Sequence, residues 1–161
     1  MTKYNRFRVS ASMVIDAFEQ LHPQGYFPHR PGWARMAFEK GQDGVETPVF
    51  LVDPLVAIAI SKGLTTFETV FEKQFLIDMY QYIADLLGAT QTYITFFVLG
   101  VDGTPPLQPG EEDPELVEDA LNGYWDGVMV YHLLTYLSKA KGWNYPCEDR
   151  KVVRKWKERR G

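Results

Sequence analysis

The chain has 161 residues, 45% of them apolar and 14% aromatic, with a formal net charge of −4. That length suits one domain able to bury about two-thirds of its unfolded surface, and the composition excludes a disordered chain. No apolar run approaches the ~20 residues of a membrane span, the first residues lack the apolar core of a signal peptide, and the single Cys147 excludes an internal disulfide or a multi-cysteine zinc site. The expectation is a soluble protein of a reducing cytoplasm.

Residues 1–9 alternate basic with aromatic or apolar side chains, the pattern of an edge strand or an arm. Ser10 is placed to cap a helix through Leu21, with Met13, Val14, Ala17, Phe18 and Leu21 on one side, and His22-Pro23 ends it. From His22 to Gly32, three prolines and two glycines read as a loop without regular structure. Residues 34–52 centre on Gln42-Asp43-Gly44 and fit a β-hairpin with an Asp-Gly turn, although the first arm also suits a short helix. Pro48 then requires an edge or a bulge for the second arm. Asp53-Pro54 supplies an N-cap and an N1 proline for a short apolar helix to Lys62, closed by Gly63 and buried almost all round.

The chain is organised around residues 65–99. Thr65 and Glu68 have the spacing of a capping box, and Phe67, Val70, Phe71, Phe75, Met79, Tyr82, Ile83 and Leu86 follow at helical spacing. These predict one amphipathic helix ending at Gly88. Residues 92–99, Thr-Tyr-Ile-Thr-Phe-Phe-Val-Leu, read as a buried strand, being β-branched and aromatic. A loop follows over 100–112, acidic at its end. Asp113-Pro114 repeats the helix start, with Glu115, Glu118 and Asp119 where negative charge suits the dipole. Gly123 and Gly127, four apart on one face, break this helix or let another element approach closely; we read one helix, kinked or straight, to Lys141-Gly142 with Leu133, Leu134 and Leu137 inward. The fold class is α+β: a single compact domain over 1–161, with four to five helices, a small antiparallel sheet and a basic C-terminal helix or tail over 148–161.

No common catalytic signature is present, neither a Gly-x-Ser-x-Gly elbow, nor a phosphate-cradling loop, nor His-Glu-x-x-His. His22 and His29 lie seven apart in the proline loop, but no third ligand is specified nearby, so no metal or cofactor is expected. His132 reads as a core histidine. Cys147 precedes Glu148-Asp149, whose carboxylates raise a thiol pKa and weaken it as a nucleophile.

Charge is the most informative feature. Residues 1–40 hold six Lys/Arg against three Asp/Glu (+3), residues 41–137 two against fifteen (−13), and residues 138–161 nine against three (+6). Such asymmetry makes a field, unless the tail simply lies across the acidic body. The acidic block Asp102, Glu111, Glu112, Asp113, Glu115, Glu118, Asp119 and Asp126 has Tyr124 and Trp125 beside it. Carboxylates among large aromatics steer toward, and anchor in, a basic protein surface, although an ordinary solvated helix face has the same composition. The leading expectation is a non-catalytic binding protein that docks this face on a basic, nucleic-acid-binding protein as inhibitor or regulator. Size and charge alone place it beside the small anti-defence and immunity proteins of phages and mobile elements. Two alternatives stand beside it. One is nucleic-acid binding through Arg150, Lys151, Arg154, Lys155, Trp156, Lys157, Arg159 and Arg160, where cations surround a stacking aromatic. The other is a small enzyme using the His22 to His29 loop.

Overall fold

Ser10 opens the first element, its hydroxyl accepting from the Met13 N–H, and α1 runs Ala11–Leu21 with Val14, Ala17, Phe18 and Leu21 buried. The computed structural model describes residues 7–29, 32–104 and 113–142. Within them the fold is α+β, with six α-helices and a three-stranded sheet.

The proline-rich loop is more regular than its composition suggests. His22–Gln24 form a 3₁₀ turn, and β1, Tyr26–Pro28, lies parallel to a later strand over Glu46–Val52. A 3₁₀ turn accepts Pro23 near its start, where no N–H is needed. The hairpin is present: β2, Ala34–Lys40, pairs antiparallel with β3, Glu46–Val52, and the sheet order is β1-β3-β2. The sheet is therefore mixed rather than purely antiparallel. Although β3 is central, β1 begins its pairing at Phe50, so Pro48 sits where β3 has a neighbour on one side only.

Asp53 Oδ1 accepts from the Leu55 N–H at 2.8 Å and starts α2, Pro54–Ser61, in which every residue from Pro54 to Ala59 is buried. The single helix expected over 65–88 is instead two, α3, Phe67–Lys73, and α4, Met79–Leu87. The N-cap is Thr66, accepting from the Thr69 N–H, while the Thr65 hydroxyl is hydrogen bonded to Tyr82 OH at 2.8 Å. Asp78 caps the second helix through the Tyr80 N–H. Two packing demands divide the stretch. α3 lays Phe67 on Phe50 of the sheet with ring centroids 4.7 Å apart, whereas α4 buries Met79, Ile83, Ala84 and Leu87 among the helices.

The expected strand over 92–99 is part of a helix, α5, Gln91–Val101, capped by Thr90. Tyr93, Ile94, Phe97 and Val101 are buried at helical spacing, a period obscured because the residues between them are also apolar. Strand propensity reflects packing more than backbone preference, and the packing here is against a helix. That helix is α6, Pro114–Lys141, unbroken through both glycines and closed by Gly142 at φ 71°. Among the described residues no single helix is long and apolar enough to cross a membrane. The arm at 1–9 is described only over 7–9, which form no strand; the loop over 105–112 and the basic segment over 148–161 lie outside the described residues.

Candidate docking face

α6 is set in place from its inner side. The Asp113 carboxylate accepts from the Glu115 N–H at 2.9 Å, and Pro114 fills the first helical position. Gly100 on α5 and Gly123 and Gly127 on α6 bring the two backbones into direct contact. A Cβ at Gly127 would collide with the Phe97 carbonyl oxygen and lie 2.9 Å from the Val101 nitrogen; one at Gly100 would collide with the Tyr124 carbonyl oxygen.

Polar groups then fix the crossing. Tyr93 OH donates to Asp126 Oδ2 at 2.6 Å and accepts from the Val9 N–H at 2.8 Å. Arg8 completes the cluster with two bonds to the same carboxylate, Nε to Oδ2 at 3.0 Å and Nη2 to Oδ1 at 2.7 Å. The hydrogen bond to Asp126 holds the Arg8 guanidinium even more firmly protonated than usual, and burial pushes the Tyr93 phenol far above its ordinary value. Thr90 Oγ1 donates to Asp119 Oδ2 at 2.8 Å. Asp119 and Asp126 are thus buried structural groups.

The acidic block consequently divides. Asp119, Asp126 and Tyr124 face inward, Tyr124 OH donating to the Thr104 carbonyl at 3.0 Å. Asp102, Asp113 and Glu115 are half-buried, and Glu118 is exposed. Trp125 stands out from the helix, 58% exposed, with its ring edge-on to Tyr124 at 5.0 Å. Glu111 and Glu112 lie outside the described residues, as do Cys147 and the cluster Arg150, Lys151, Arg154, Lys155, Trp156, Lys157, Arg159 and Arg160.

What sequence reasoning missed is the rest of the outer stripe. Leu121, Trp125, His132 and Tyr136 are exposed along α6, with Val128 and Met129 half-buried between them. His132 is therefore a surface residue, packed edge-on against Tyr131, rather than a core histidine. The signal was available: with Gly123 and Gly127 facing inward, a 3.6-residue period puts Leu121, Trp125 and His132 outward. The helix has 28 residues, hence spans about 42 Å.

The histidine pair does not form one site. His22 lies against Phe27 at the rim of a hollow of about 420 Å³ that includes Glu39 and Pro48. Buried His29 borders a different hollow, of about 390 Å³, with Trp33, Phe71 and Phe75. Among the described residues no three His, Cys, Asp or Glu side chains converge as metal ligands.

No family model, curated protein or solved structure matches the chain.

Proposed function

We propose that this is a non-catalytic binding protein that docks the outer face of α6 on a basic protein surface with an apolar socket. The observation that carries the reading is Trp125, a large aromatic held 58% exposed at the middle of a helix whose opposite side is locked by backbone contact. Leu121 and Tyr136 extend the apolar stripe, and Glu115 and Glu118 lie toward its N-terminal end. Buried aromatic anchors dominate binding energy, while charges at a rim steer encounter and select partners. A helix already fixed in position loses little further freedom on binding.

A nucleic-acid-binding protein presents the complementary basic surface, so occupation by α6 would compete with its nucleic acid and make this chain an inhibitor or regulator. The test is capture from nuclease-treated lysate with wild type, Trp125→Ala and Glu115→Lys/Glu118→Lys. The expected result is one basic protein held by wild type, weakened about 30-fold or more by Trp125→Ala, as for a ≥2 kcal/mol hot spot. Its association should slow with added salt and with the charge reversals. Equal capture by all three proteins refutes this reading; capture lost with nuclease favours nucleic-acid binding through residues 150–160.

A further inference from the structure

Among the described residues the sheet ends in an open strand. Strand pairing places Trp33 opposite Asp53 and Gly41 opposite Val45 as hydrogen-bonded positions, with Asp53 N–H donating to Trp33 and Gly41 N–H to Val45. In an antiparallel ladder these positions recur every second residue, so Arg35, Ala37 and Glu39 turn their N–H and C=O groups toward β3. Ala34, Met36, Phe38 and Lys40 turn theirs away from the sheet. Of these, the Ala34 carbonyl is taken by the Gln74 side chain at 2.8 Å. Among the described residues the outward groups of Met36, Phe38 and Lys40 make no hydrogen bond. Phe38 is 50% exposed, and Met36 is exposed with it. Natural edge strands are usually short, bulged or covered, because an open edge recruits another strand.

We propose that β2 is a homodimerisation edge, pairing antiparallel with β2 of a second copy about a two-fold axis at Ala37. The sequence Arg35-Met36-Ala37-Phe38-Glu39 is self-complementary in that register. Met36 of one copy faces Phe38 of the other, their outward N–H and C=O groups forming the ladder, and apolar pairs of this kind stabilise sheets. Arg35 faces Glu39 of the second copy on both sides of the axis, so opposite charges meet twice. Moving the axis one residue toward Met36 or toward Phe38 sets Arg35 against Ala37 or Gly41, and both charge pairs are lost.

The geometry beyond the strand agrees. In this arrangement the hairpin tip of the second copy passes the Ala34 end of β2, where Phe75 and Gln74 border the hollow beside Met36. Phe75, Leu76 and Ile77 are exposed in the break between α3 and α4, Leu76 at 78%, and Val45 is exposed at the tip itself. A second copy joins these patches and completes a six-stranded sheet from two three-stranded ones. Closed two-fold pairing consumes the edge in both copies, whereas a heterologous strand would leave one open.

Sedimentation or light scattering over a concentration series tests this directly. Wild type should approach twice the 18.5 kDa chain mass at high micromolar concentration. Arg35→Glu and Glu39→Arg, each alone, should shift the protein to monomer by setting like charges face to face. The double variant R35E/E39R should restore the dimer, because the swapped charges are again opposite. That rescue separates interface loss from misfolding, and circular dichroism of each variant checks the fold. Met36→Pro, which removes an outward donor and the side chain facing Phe38 but no bond to β3, should also give monomer. Wild type that stays monomeric throughout, or single reversals that leave the dimer intact, overturn the proposal.

Discussion

Replacing Gly127 by alanine sets two opposing effects against each other. Intrinsic propensity favours alanine over glycine inside a helix by about 1 kcal/mol. Packing opposes it, since the new Cβ would collide with the Phe97 carbonyl oxygen and stand 2.9 Å from the Val101 nitrogen and 3.1 Å from Gly100 Cα. All three are backbone atoms, so no rotamer change relieves the clash and the two helices must separate along their contact. Overpacking typically costs 1–3 kcal/mol, and a backbone collision belongs at or above the upper end. The expected net loss is about 2 kcal/mol or more. For a chain of 161 residues, that lowers Tm by about 4–8 °C. Thermal and urea unfolding, with an unchanged urea slope, measure it. Gly100→Ala should behave alike, and the double variant should lose less than the sum, because helices already apart accommodate the second methyl. A Tm equal to or above wild type would refute the interlock.

Tyr93→Phe removes both the bond to Asp126 and the one from the Val9 N–H; a loss of roughly 1.5–3 kcal/mol is expected, read as a lower urea midpoint. Burial holds the Asp53 carboxyl well above the usual carboxylate range, with Asp102 adding to the effect and the Leu55 N–H opposing it. The folded state therefore binds the proton more tightly than the unfolded one, and wild-type stability falls as pH rises above about 3.9 through the raised value. Asp53→Asn keeps the helix cap without the charge; its unfolding midpoint should match wild type in acid and exceed it increasingly toward neutral pH. At the start of α3, Thr66→Ala should cost ~1 kcal/mol while Glu68→Ala stays within about 0.5 kcal/mol. Equal losses would restore the capping box expected at Thr65.

The elements legible in the sequence were those with local chemical punctuation. Ser10, Asp53 and Asp113 each cap the helix they were expected to start, Gly88 and Gly142 close theirs in the left-handed conformation, and Asp43-Gly44 turns the hairpin. Errors fell where tertiary packing decided. Thr92 to Leu99 has strand composition, yet its helical form follows from the close approach of α6 at Gly100, Gly123 and Gly127, residues 20 or more positions away for the α6 pair. The division at Phe75 to Asp78 follows from one apolar stretch serving both sheet and helices, which no local pattern records. At the candidate site, sequence gathered eight carboxylates by proximity along the chain. Helical geometry sends Asp119 and Asp126 inward and leaves Trp125 outward.

The contacts of Arg8 with Asp126 join positions 118 residues apart. Closing a loop of that size is entropically unfavourable until the intervening helices have already brought Tyr93 and Asp126 together. The clasp is therefore expected to form late in folding. An interaction absent from the transition state governs the rate of unfolding rather than of folding. Residues 7–9 would then act as a latch in time, setting how long the native state persists and leaving the speed of reaching it to the helices behind them.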